Sequence, residues 1–92
     1  MIKSFRCKDT QALFENKCPR RFKAIAAVAE RKLQILDNAW GLEDLRSPPG
    51  NRLEALRGPL KGFLSIRIND QWRICFRFEN GDAFNVEIID YH

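Results

Sequence analysis

The sequence predicts an α+β fold: an N-terminal strand, two helices, and then an antiparallel meander of about four strands, with the helices on one face of the sheet. Three observations lead there. The stretch "RRFKAIAAVAERKLQILDNA" carries apolar side chains at three- and four-residue steps, the period of a helix with one buried face. Beyond the breaker cluster Pro48, Pro49, Gly50 and Asn51, the runs "RLEALRG", "FLSIRIN", "WRICFRF" and "AFNVEIIDYH" are short and β-rich. The whole chain has 92 residues and 45% hydrophobic content, which suits one domain over residues 1–92 around one core.

In chain order, "MIKSFRC" alternates polar and apolar residues and is expected to be a strand, after which Asp9 or Thr10 can cap a helix. That helix, "TQALFEN", turns Leu13 and Phe14 inward and stops before Pro19. The long helix follows, burying Phe22, Ile25, Ala26, Ala29, Leu33 and Leu36. Its outward face holds Arg21, Lys23, Arg31 and Lys32, read here as solvated. "WGLEDLRSPPGNRL" supplies a short helical turn and then a loop. The strand runs are separated by Gly58 to Gly62, by Asp70 with Gln71, and by "ENGD", where Asn80 and Gly81 tolerate positive φ.

Charge and cysteine usage narrow the function classes. Sixteen Lys and Arg against twelve Asp and Glu give +4, compatible with a nucleic-acid partner without requiring one. Charges come too early for a secretory leader, and no apolar run reaches the ~20 residues that span a bilayer, so a cytoplasmic protein with no membrane partner is expected. Cys7, Cys18 and Cys75 lack C-x-x-C spacing and are read as reduced thiols. No H-E-x-x-H, facial triad or G-x-x-x-x-G-K is present, so neither a metal nor another cofactor is expected. Cys75 has no evident partner base for nucleophilic catalysis. A core this small offers a groove more readily than an enclosed cavity, which favours a macromolecular partner.

Side-chain alternation divides each strand into two faces. Leu64, Ile66 and Ile68 form one apolar set, Trp72, Ile74, Phe76 and Phe78 a second, and Phe84, Val86 and Ile88 a third. Opposite them fall Ser65, Arg67, Asn69, Arg73, Cys75, Arg77, Asn85, Glu87, Ile89 and Tyr91. If the strands pair as hairpins, Arg67, Arg73 and Arg77 share one face with Glu87 and Tyr91, a surface suited to bidentate phosphate contacts. The alternative is an ordinary solvent face with cross-strand Arg–Glu pairs worth about 0.2–1 kcal/mol each.

The last strand ends on Asp90, Tyr91 and His92. An imidazole, with an ordinary pKa of ~6.5, exchanges a proton at cellular pH. Beside phosphate-binding arginines it supports general acid–base chemistry on a phosphodiester, with Asp90 and the terminal carboxylate at hand; the alternative is an exposed terminal His.

"SIRINDQWRICFRF", a short turn and "VEIIDYH", preceded by "LRSPPGNRLEALRG", resemble the HigB (host-inhibition-of-growth) branch of the RelE/ParE superfamily of bacterial toxins. The resemblance extends to "MIKSF" and "VAERKLQILDNA" and so covers essentially the whole chain. It implies a toxin silenced by a HigA-like helix-turn-helix antitoxin. It implies a ribosome-dependent, metal-independent endoribonuclease that cuts messenger RNA in the ribosomal A site and so inhibits translation. On this resemblance His92 is the leading proton-transfer group, Tyr91 stacks on a base or orients the 2′-OH, and Arg73 meets the scissile phosphate. Asp90 orients His92 or another polar group, and Asn69 and Gln71 sit near the cut.

The chain departs from the pattern of some members, which carry a His and a Lys where it has Glu54 and Arg57. Arg57 keeps the positive charge but is a poor proton donor, its pKa exceeding ~12; Glu54 is a second candidate general base. Two further readings share the fold: a ParE-like toxin that inhibits DNA gyrase by binding, and a nontoxic antitoxin-binding homologue.

Overall fold

The computed structural model describes residues 1–46 and 49–90. Helix α1 covers Lys8–Phe14, a 3-10 segment over Arg20–Ile25 runs into α2 at Ala26–Asn38, and α3 is the short Leu42–Arg46. Strands β1 (Glu54–Ala55), β2 (Leu64–Arg67), β3 (Trp72–Glu79) and β4 (Asp82–Asp90) form an antiparallel sheet in the order β1-β2-β3-β4. The α+β arrangement is as the sequence predicts. The helices bring Leu13, Phe22, Ile25, Ala29, Leu33, Leu36 and Leu45 against Ile66, Ile68, Ile74, Phe76, Ala83, Val86 and Ile88 on one sheet face. Phe22 meets Trp72 edge-on, with ring centroids 5.6 Å apart.

The N-terminal segment is less regular than the expected strand. It lies parallel to β4 through two isolated bridges, Ile2 with Ala83 and Phe5 with Val86. Side chains replace missing rungs: Asp37 Oδ1 accepts the Ile2 N–H at 2.8 Å, and Ser4 Oγ accepts the Asn85 N–H at 2.8 Å. Helix α1 begins earlier than expected, with Cys7 rather than Asp9 or Thr10 in the N-cap position and no side-chain cap. Thr10 instead lies fully buried, where its Oγ1 accepts the Ile88 N–H at 3.0 Å and closes the β4 edge that the N-terminal segment leaves uncovered.

The predicted face of β4 changes part-way along. Cys75 pairs with Glu87 and Arg77 with Phe84, so the register slips by one residue between them, and Asn85 takes a left-handed φ of 54°. A bulge of this kind reverses the alternation. Ala83 therefore fills the core position and Phe84 lies on the opposite face beside Arg77, correcting the inward placement of Phe84. "RLEALRG" contributes only two residues of strand. Lys32, expected on the solvated face of α2, is 9% exposed. The predicted loop at Pro49–Asn51 is a 3-10 turn with Asn51 fully buried; Pro48 lies outside the described residues.

Candidate active site on the open face of the sheet

Register places the polar residues in rows. Glu54 faces Ser65, Ser65 faces Cys75 and Cys75 faces Glu87; in the neighbouring row Arg67 faces Arg73 and Arg73 faces Ile89. Two guanidiniums directly opposite each other repel unless each has its own partner. Here they diverge. Arg67 pairs with Asp70 in the β2–β3 turn. Arg73, only 6% exposed, donates from Nε to Ser65 Oγ at 2.7 Å and from Nη2 to the Arg52 carbonyl at 2.6 Å and the Ser65 carbonyl at 3.3 Å. The Glu54 carboxylate lies 4.0 Å from the same nitrogen. Arg73, the second residue of the inner strand β3, is thus held as a rigid fork near one end of the sheet, with little rotamer freedom left to lose on meeting an anion.

The end of β4 is tied to the same place. Asn69 Oδ1 accepts the N–H groups of Gln71 and Trp72 at 2.9 and 2.8 Å and so closes the β2–β3 turn. That turn presents Gln71, whose Nε2 donates to Asp90 Oδ2 at 3.0 Å. Trp72 and Asp90 are partners in the ladder. Asn69 and Gln71 therefore shape the turn and orient Asp90. Tyr91 and His92 lie outside the described residues.

The remaining candidates are spread more widely. Glu54 stands beside Arg73, while Arg57 is exposed just beyond β1. Arg77 is four residues along β3 from Arg73, ~13 Å by strand rise, with the buried Cys75 between them. It faces Glu79 at 3.9 Å and lies 5.9 Å from the Phe63 ring centre. The three strand arginines thus share a face, but only Arg67 and Arg73 are neighbours. Residues the sequence did not single out complete the Arg73 environment: Ser65, the Arg52 carbonyl and, behind them, Lys32 and Asn51. Arg52 has a left-handed φ of 44° and its carbonyl accepts from Arg73; nothing in the residue type announces it. The site lies on the sheet face away from the helices, with Ser65, Arg73 and Cys75 buried and Glu54, Arg57, Gln71 and Asp90 exposed around them.

Cys75 is 3% exposed, and its thiol is pushed up to about 11, first by burial and then by Glu87, against the opposing pull of Arg73 and Arg6. The reactive thiolate is thereby suppressed. Iodoacetamide at about pH 8 should modify Cys18, which is exposed, and then Cys7, while Cys75 reacts only after denaturation; mass spectrometry of the native protein finding Cys75 alkylated as fast as Cys18 would contradict this. Because the neutral thiol is favoured in the fold, its stabilising contribution is complete below the ordinary value near 9 and is lost as pH rises through about 11.

Among the described residues no helix is long and apolar enough to cross a membrane. The sheet order and helix placement are those of a RelE-like toxin fold: the solved structure of a YafQ mutant from E. coli superposes with TM-score 0.62 over 98% of this chain and 91% of that one, at 15% identity. The chain belongs to the HigB-like toxin family, described as the RelE-like toxin of the type II toxin–antitoxin system HigB, which it matches over residues 3–92. It is 43% identical to Toxin HigB-1 of Vibrio cholerae serotype O1, over 100% of this chain and 98% of that protein. It is 36% identical to Endoribonuclease HigB of Proteus vulgaris over the full length of both. A toxin of this type is one half of a pair, and its partner is an antitoxin.

Proposed function

We propose that residues 1–92 act as one toxin domain, a ribosome-dependent and metal-independent endoribonuclease that cuts messenger RNA in the decoding site of the cytoplasmic ribosome. A helix-turn-helix antitoxin silences it. The observation that carries this reading is the buried Arg73 fork, fixed by Ser65 and the Arg52 carbonyl, next to the tethered end of β4.

In the proposed reaction the ribose 2′-oxygen attacks the adjacent phosphorus as a base takes its proton. The O2′–P bond forms and the P–O5′ bond breaks. An acid protonates the departing 5′ oxygen, leaving a 2′,3′-cyclic phosphate and a 5′-hydroxyl. Arg73 stabilises the charge that builds on the phosphoryl oxygens, where a preorganised cation is worth most. Arg67 and Arg57 add positive potential along the backbone path, and Arg77 meets a more distant phosphate. His92 is the leading proton-transfer group and Glu54 the second. Tyr91 orients the 2′-OH or stacks on a base, and Asp90, itself oriented by Gln71, steers His92. The ribosome holds the RNA near in-line geometry and supplies the orientational part of the rate.

Wild type and His92→Ala, each with and without ribosomes, test the reading directly. Cleavage by wild type on ribosomes, mapped by primer extension, should fall by about 10²–10⁴-fold in the variant, with antitoxin binding intact. Full activity of the variant removes His92 from the mechanism. Intact messenger RNA accompanied by DNA damage would instead identify a gyrase-binding toxin, and absence of growth arrest without antitoxin a nontoxic homologue.

A further inference from the structure

Lys32 presents a contradiction. It projects from α2 into the protein, is 9% exposed, and makes no ion pair among the described residues. Burial lowers its pKa, and the neighbouring charges of Arg31 and Arg67 lower it further. A buried cation without an anion opposes folding unless hydrogen bonds compensate it. What the lysine does make is a hydrogen bond from Nζ to Asn51 Oδ1.

Asn51 is fully buried, and its Nδ2 donates to the Leu45 carbonyl at 3.1 Å. One asparagine therefore ties α2, the end of α3 and the Pro49–Asn51 turn together. The next residue is Arg52, in a left-handed conformation that a residue with a side chain adopts only under constraint. Its carbonyl is the acceptor 2.6 Å from Arg73 Nη2. A continuous path thus runs from the Lys32 ammonium through the Asn51 side chain and the Asn51–Arg52 backbone to the buried Arg73 guanidinium.

We propose that Lys32 and Asn51 are positioning residues for Arg73: they clamp the turn so that the Arg52 carbonyl aims the guanidinium at the scissile phosphate. This rests on Arg73 contacting that phosphate, as proposed above. The clamp acts from α2 through the Pro49–Asn51 turn, as positioning of Arg73 and not by contact with substrate. Its effect falls on the orientation of the fork and so on the chemical step, with ribosome binding left to the exposed cations.

The full-length protein serves for the test, with programmed ribosomes as substrate. Lys32→Met keeps the volume and removes the charge; Asn51→Ala breaks the link at its centre. Lys32→Met removes a buried charge but also the donor to the buried Asn51 Oδ1, so it should fold with a somewhat lowered melting temperature while kcat falls about 10- to 100-fold, the range for a reacting group displaced by about 1 Å, with KM for ribosomes unchanged. In an Arg73→Ala background the same substitution should produce no further fall, since both act through one guanidinium. Three outcomes overturn the proposal: Lys32→Met cleaving at the wild-type rate, Lys32→Met failing to fold, or its full effect persisting without Arg73. If Arg73→Ala itself cleaves normally, the phosphate-contact reading fails instead, and the two failures are distinguishable. Asn51→Ala should match Lys32→Met in kcat; wild-type kcat in a folded Asn51→Ala protein also overturns the clamp.

Discussion

Arg73→Ala is expected to lower messenger RNA cleavage on ribosomes by about 10²–10³-fold, the loss typical when one preorganised donor to a transition-state oxyanion is removed. The expectation comes from how the side chain is held. Its Nε and Nη2 are engaged by Ser65 and the Arg52 carbonyl at 2.6–3.3 Å, so the guanidinium plane is set before substrate arrives. Stabilisation from a preset donor appears in the transition state without a reorganisation cost. The substitution also removes a donor from two buried acceptors, which costs about 1–3 kcal/mol of stability. Urea denaturation separates this from the loss of rate, because a folded fraction near one under assay conditions leaves the rate as a report on chemistry. Arg73→Lys sharpens the test: it keeps the charge but cannot reproduce the fork, so it should recover only a small part of the activity. A cleavage rate for Arg73→Ala equal to wild type would remove this residue from the mechanism.

Phe76→Ala should destabilise the fold by about 3–5 kcal/mol, the usual cost of truncating a buried phenylalanine. Phe76 is fully buried on β3, with strands on both sides and the helices above it, and its ring meets Phe78 at 6.3 Å between centroids. Little can move in to fill the space. A chain of this size has about 5–15 kcal/mol of total stability, so a substantial unfolded population is expected at 37 °C, seen as a lowered urea midpoint. The effect reaches the site because Phe76 and Arg73 belong to the same strand and point to opposite faces. An unchanged midpoint would show that the space collapses around the smaller side chain.

Much of the site was legible because strands alternate. Ile66, Ile74 and Phe76 announced the core face by their chemistry, and Ser65, Arg67, Arg73 and Cys75 were thereby assigned to the other face, where the structure places them. The same rule failed for Phe84, since one residue inserted at Asn85 reverses the phase and Asn85 looks like any polar strand residue. It also misjudged openness: Arg73 and Cys75 lie on the face away from the helices but are buried. Asn69 and Gln71 were read as groups near the cut, and their hydrogen bonds give them the work of building the turn and holding Asp90.

The sequence by itself determined the α+β class, the amphipathic α2, the faces of β2 and β3 and the family, because each depends on local periodicity or on runs of adjacent residues. Only the tertiary structure decided that Lys32 is buried, that Asn51 joins two helices to a turn, and that a backbone carbonyl at Arg52 grips Arg73. These contacts join residues 6, 19 and 21 apart in the chain, and two of the three end on a backbone carbonyl. Every residue carries a backbone carbonyl, so which one a side chain meets is set by how the chain packs and leaves no mark in residue type.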